Sequence, residues 1–132
     1  MGFVELAHTA DWSVRVWGKD FNELLAEAAR AMNTMAGVQT SESSMVKRAF
    51  VVDNADEESI LISFLTELIY YQEHDNLAFS TFVNKIRGHQ IDIRMRGSKI
   101  ISIEKVVKAV TWHNLKIEHT LLGYETEIVF DV

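Results

Sequence analysis

Three carboxylates stand where the chain can bring them together. Asp11 closes the run His8-Thr9-Ala10-Asp11, at the boundary between two apolar segments. Asp131 and the α-carboxylate of Val132 end the segment Thr126-Glu127-Ile128-Val129-Phe130-Asp131-Val132, which is apolar and β-prone to its last residue. If that terminal strand pairs beside Asp11, the three form an oxygen-only site. Such a donor set, with no thiolate, suits Ca²⁺, Mg²⁺ or Mn²⁺ better than zinc. Successive strand residues point to opposite faces, so the Asp131 side chain and the main-chain terminus diverge at first. A site of all three therefore expects the terminal carboxylate to turn at the strand end, where nothing follows to constrain it. Without a cation the three charges repel one another, so a bound ion has a stability role before any catalytic one. The plain alternative for Asp11 is a turn aspartate accepting backbone hydrogen bonds.

The histidines support a metal site less well. His8 lies three residues from Asp11, and His-x-x-Asp is a weak zinc signature. His113 and His119 are six apart with no second pair at tetrahedral spacing. The run Lys108-Ala109-Val110-Thr111-Trp112-His113 reads as a strand with Lys108, Val110 and Trp112 on one face and Ala109, Thr111 and His113 on the other. Lys108 there reads as a lysine snorkelling past apolar neighbours. Nucleophilic chemistry has no support: there is no cysteine, no Gly-x-Ser-x-Gly elbow and no phosphate-binding Gly-x-x-x-x-Gly-Lys loop.

The elements that position these groups can be read from periodicity. Phe3 to His8 predicts a short strand, and alternation of Trp12, Val14 and Val16 predicts a second, closed by Gly18. Asp20-Phe21-Asn22-Glu23 is a capping box, each side chain meeting the other residue's free amide. The helix behind it places Phe21, Leu24, Leu25, Ala28, Ala31, Met32 and Met35 on one face, and Gly37 supplies a left-handed stop. Residues 39–44 read as a polar loop and Met45 to Asp53 as a strand. A longer helix, begun by Asn54 or Asp56, carries Leu61, Phe64, Leu65, Leu68 and Ile69 inward. Beyond His74-Asp75-Asn76, residues 78–87 and 90–96 pair across Gly88, with Ile91, Ile93 and Met95 inward. Gly97-Ser98 reads as a turn. Three further strands are predicted, at about 106–112, 115–120 and 124–131. Two helices and seven or so strands make an α+β domain, the helices covering one face of a largely antiparallel sheet.

Length and composition agree with one domain over residues 1–132, large enough for a single core. Apolar residues make up 48% and charged residues 24%, ordinary globular values. No apolar run reaches the roughly 18 residues of a membrane span. No signal-peptide layout and zero cysteines lead us to expect a cytoplasmic location. The net charge of −6 argues against a protein that wraps nucleic acid by itself. Yet residues 85–108 hold seven bases against two acids, a local +5 that leaves −11 for the remainder. That segment reads either as a solvated basic hairpin or as a contact for an acidic partner or for RNA backbone held by a partner.

In order and spacing, His8-Thr9-Ala10-Asp11, Lys108 to His113 and Phe130-Asp131-Val132 resemble the archease family over the whole chain. Leu61 to Tyr71 also resembles that family's second helix. The chain departs from the family's habit at Ala7, where an acid is common, at Trp112 in place of tyrosine, and at Trp12 in place of valine or isoleucine. The resemblance implies an archease-like fold and a non-enzymatic activator of the RtcB-type RNA ligase, which joins tRNA exon halves and repairs cleaved RNA with GTP and divalent metal. It implies that Asp11, Asp131 and the Val132 carboxylate bind the metal, and that Lys108 bears on ligase activation, with His8 and His113 as supporting residues. The implied partner is the GTP-dependent 3′-phosphate RNA ligase, with RNA reached through it and no membrane. A chaperone-like role toward an RNA methyltransferase is a lesser implication. From the residues alone the runner-up is a metal-dependent phosphoesterase or nuclease using the same carboxylates, although two-metal hydrolases need more ligands than three.

Overall fold

The computed structural model describes residues 1–6 and 12–132. The first strand, β1 (Gly2–Leu6), pairs antiparallel with β2 (Trp12–Gly18), which leads into helix α1 (Phe21–Met35). Strands β3 (Gln39–Thr40) and β4 (Val46–Asp53) follow, then α2 (Glu57–Tyr70), continued by one π-helical turn at Tyr71–Asp75. The remainder is β5 (Leu77–Arg87), β6 (Gln90–Ser102), β7 (Ala109–Thr111), β8 (Glu118–Thr120) and β9 (Gly123–Asp131). The α+β class and the antiparallel pairing are as the sequence predicts. What periodicity did not reveal is that the strands divide between two sheets. One runs β1-β2-β9 with both β7 and β8 on the far edge of β9; the other has β6 at its centre, with β5 on one side and β4 and β3 on the other.

Local chemistry explains the helix boundaries. Asp20 accepts from the Glu23 amide at 2.8 Å, half of the expected capping box. The returning Glu23 carboxylate takes the Lys19 amide at 3.1 Å instead of that of Asp20, so the box is displaced by one residue. At the other end Val38 N–H reaches Asn33 C=O and Gly37 N–H reaches Thr34 C=O, with Gly37 at φ 66. That is a Schellman stop, and it needs the glycine. For α2 the cap is Asp56, whose carboxylate takes both the amide and the hydroxyl of Ser59. These two bonds to the charged form hold the Asp56 carboxyl below its ordinary value. Asn76 ends the π turn at φ 57 and ties it to β6 through the Ile100 carbonyl.

Two loops of the sequence reading become strand. Residues 39–40 form β3, whose side chains are exposed, so they carry no apolar alternation to mark them. Gly97-Ser98 lies within β6 and not in a turn, because a bulge in β5 between Phe79 and Thr81 brings the Ala78 carbonyl onto Gly97. A Cβ there would stand 1.9 Å from that oxygen, so the glycine serves close approach of two strands.

One core joins the layers. Val14, Val16, Ile128 and Phe130 of the first sheet and Val52, Ile91, Ile93 and Met95 of the second meet Leu24, Leu25, Met32, Leu61, Phe64 and Leu65 from the helices. Helix α1 packs on β1, β2, β9 and β5, and α2 on β4 and β7, so the helices bridge the two sheets. Phe64 is fully buried between Phe50 and Phe82.

Candidate functional site

The site is built around the end of β9. Its alternation sends Ile128 and Phe130 into the core and leaves Asp131 exposed. On one side β9 pairs with β2, where Trp12 stands opposite Phe130, the residue before Asp131. On the other side Ala109 is the register partner of Asp131, and Lys108 N–H donates to the Asp131 carbonyl at 2.9 Å. The terminal strand is thus held centrally between β2 and β7; the pairing beside Asp11 that the three-carboxylate site requires lies outside the described residues.

The segment that delivers Lys108 is anchored independently. Glu104 and Lys105 both donate their amides to the Ala36 carbonyl at the end of α1, at 2.9 and 3.1 Å. Val107 is then buried and Lys108 is exposed at the threshold of β7. The strand is shorter than predicted, three residues, because Trp112 to Leu115 turns away, with Asn114 at φ 56 and Leu115 N–H on the Trp112 carbonyl. Val110 packs on the core while Ala109 and Thr111 take the opposite face, as expected. Trp112 and His113 lie beyond the strand and are exposed, Trp112 at 56%. The His113 amide donates to Thr111 Oγ1, and its ring lies in no cluster of ligands among the described residues.

His119 is accounted for structurally. Its Nε2 lies 2.6 Å from Glu57 and its ring packs on Tyr124 at 4.3 Å. Glu58 next to it accepts the buried Ile117 amide at 2.8 Å. These two first-turn acids of α2 pin β8 and the residue before it. Sequence shows only acids suited to a helix N-terminus; the partners lie about sixty residues away.

Asp11 and His8 lie outside the described residues. Among those described, no three His, Asp or Glu side chains converge as a metal site. The donor chemistry at the β9 end nonetheless fits a hard cation. The Asp131 carboxylate is exposed and, among the described residues, takes part in no hydrogen bond or ion pair. Its backbone carbonyl accepts the Lys108 amide, which leaves the side-chain carboxylate without a partner among the described residues. The Val132 side chain packs against the core. Oxygen donors of this kind select for Ca²⁺, Mg²⁺ or Mn²⁺.

Two helices bridging antiparallel sheets define an α+β class, and this fold is shared with the solution structure of Methanobacterium thermoautotrophicum protein 1598. The two agree with a TM-score of 0.75 over 99% of both chains at 22% identity. The sequence pattern of the Archease protein family matches residues 3–132, and the chain belongs to that family. Relatives named protein archease include that of Methanosarcina barkeri, 32% identical with 96% of this chain and 93% of that one covered. Those of Pyrococcus furiosus, 33% identical over 84% of each chain, and Methanopyrus kandleri, 29% identical over the full length of both, are similar too.

Proposed function

We propose that this chain is a non-enzymatic activator of a GTP-dependent RNA ligase in tRNA splicing or RNA repair, acting through a divalent cation held by Asp11, Asp131 and the Val132 carboxylate. Family membership over residues 3–132 supports the class of function. The observation that carries the site is the seating of Asp131 opposite Ala109 of β7, directly after the Phe130–Trp12 pair with β2, with its carbonyl on the Lys108 amide. That bond aligns the Lys108 backbone with the strand end and leaves the Asp131 carboxylate for the ion. When bound, the cation supplies positive charge that can orient nucleotide phosphates at the ligase. Lys108, exposed beside it, adds a cationic head that an anionic group on the partner can meet. The −11 outside residues 85–108 suits docking on a basic, RNA-binding enzyme, and such steering is salt-sensitive. Among the described residues no further ligand cluster favours a hydrolase.

The test is multiple-turnover ligation with Asp131→Ala and Asp11→Ala. Both are expected to lose stimulation, and full stimulation by both would sink the cation mechanism. A tag after Val132 is expected to weaken cation binding more than one before Met1.

A further inference from the structure

We propose that the face of the second sheet turned away from the core binds the phosphate backbone of nucleic acid directly, with Lys47, Lys85, Arg94 and Arg96 as the contacting residues. This stands apart from the ligase reading, in which RNA is met only through the partner.

Strand alternation builds the face. Ile91, Ile93 and Met95 of β6 point into the core, so Asp92, Arg94 and Arg96 point out. Lys47 lies directly opposite Arg96, and Val83 opposite Arg94 on the other side. Lys85 stands opposite Asp92, but that carboxylate is taken by Arg87 at 2.8 Å. None of the four cations has a carboxylate within ion-pair distance among the described residues. Like charges directly across an antiparallel pair are destabilising. The Lys47–Arg96 pairing therefore costs stability in a chain whose net charge of −6 offers acids in excess.

A cleft of about 520 Å³ opens on this face, with Lys47, Arg48, Arg94 and Arg96 in its lining. The centre of the face is guanidinium, with isolated valines beside it, whereas protein interfaces concentrate apolar and aromatic groups centrally and exclude charge. Guanidinium forks match phosphate bidentately. Arg94 and Arg96, two residues apart on one strand, sit about 7 Å apart, a spacing that neighbouring phosphates can span. At 0.1 M salt the Debye length is about 10 Å, so a strand lying here feels the local cations and little of the acidic remainder. Nucleic acid is the occupant this chemistry favours over an acidic protein.

The experiment is fluorescence anisotropy of the full chain with a labelled single-stranded RNA of about 20 nucleotides, titrated between about 50 and 200 mM KCl. Four contacts give a slope of log K against log salt near about −3, and Arg94→Gln/Arg96→Gln halves it to about −1.4. The double variant also weakens binding at 0.1 M KCl at least tenfold, while Lys19→Gln/Lys116→Gln leaves it unchanged. The exposed side chains replaced make no hydrogen bond that folding needs, which circular dichroism checks. No binding by the parent chain at the lowest salt, or equal binding by the Arg94/Arg96 variant, overturns the proposal. So does equal competition by poly-glutamate, which would assign the face to acidic protein. Because no ligase is present, failure here and failure of the activator reading are separate results.

Discussion

Replacing Asp131 with alanine should separate the fold from the cation. The Asp131 carboxylate is exposed and makes no bond among the described residues, while the backbone carbonyl that holds Lys108 survives the substitution. The cation-free stability should therefore change by no more than about 0.5 kcal/mol. For 132 residues the unfolding entropy makes 1 kcal/mol worth about 4 °C, so the melting temperature should move by about 2 °C at most. A cation present at a hundred times its Kd stabilises the parent by about 2.7 kcal/mol, or about 10 °C. Changes in outer-shell partners alone weaken metal sites about 10- to 100-fold, so losing a direct oxygen ligand should cost at least tenfold. At the same cation concentration the variant then retains about 1.4 kcal/mol, or about 5 °C, and less if the loss is larger. The assay is thermal unfolding of EDTA-treated protein with and without added Ca²⁺, Mg²⁺ or Mn²⁺. Equal cation-induced shifts in parent and variant would refute the assignment of Asp131 as a ligand. A large drop without cation would show that the carboxylate serves the fold instead.

Three further outcomes follow from the packing. Phe64→Ala, at a fully buried ring between Phe50 and Phe82, should cost about 3–5 kcal/mol in denaturant unfolding; a loss below 1 kcal/mol would mean the core collapses freely. Glu58→Ala strands the buried Ile117 amide and should cost about 1–3 kcal/mol, with faster hydrogen exchange at that amide, whereas Glu58→Gln keeps an acceptor and most of the stability. Asp56 has a folded pKa below its ordinary 3.8, so its stabilising effect is present above that value and is lost as pH falls through the folded pKa. The melting-temperature gap between the parent and Asp56→Ala should accordingly be open at neutral pH and close in acid, while the gap between Asp56→Asn and Asp56→Ala stays flat; a parent gap that ignores pH would count against the cap.

Much of the framework was legible because its causes are local. The Asp20 cap, the Gly37 stop and the inward faces of both helices depend on neighbours within a turn or two and stand where periodicity and side-chain chemistry predict. For α2 the sequence offers two starts, Asn54 and Asp56, and the structure decides for Asp56. Alternation likewise identified the buried Ile91, Ile93 and Met95 and the exposed Arg94 and Arg96. Pairing of the terminal strand beside Asp11 was the condition set by residue type; its pairing with β7, which seats Asp131 opposite Ala109, came only from the fold.

What only tertiary structure decided involves partners far apart in the chain. Gly97 reads as a turn until β5 is seen pressing the Ala78 carbonyl against it. His119 has no assigned role in the sequence beyond its failure to make a tetrahedral pair, and only the fold shows Glu57, across 62 positions, at its ring nitrogen. The division of strands between two sheets has the same origin, since alternation marks a strand's faces but not its neighbours. The pairing of Lys47 with Arg96 is decided there too: a sequence shows the charges, and only the register shows that they oppose each other. The carboxylates at Asp11, Asp131 and Val132 lie between these cases. Residue type determines only that, as oxygen donors, they would suit a hard cation in the proposed site. For Asp131, the β2 and β7 ladders determine where the chain presents it, because only long-range pairing can bring the two ends of a sequence to one place.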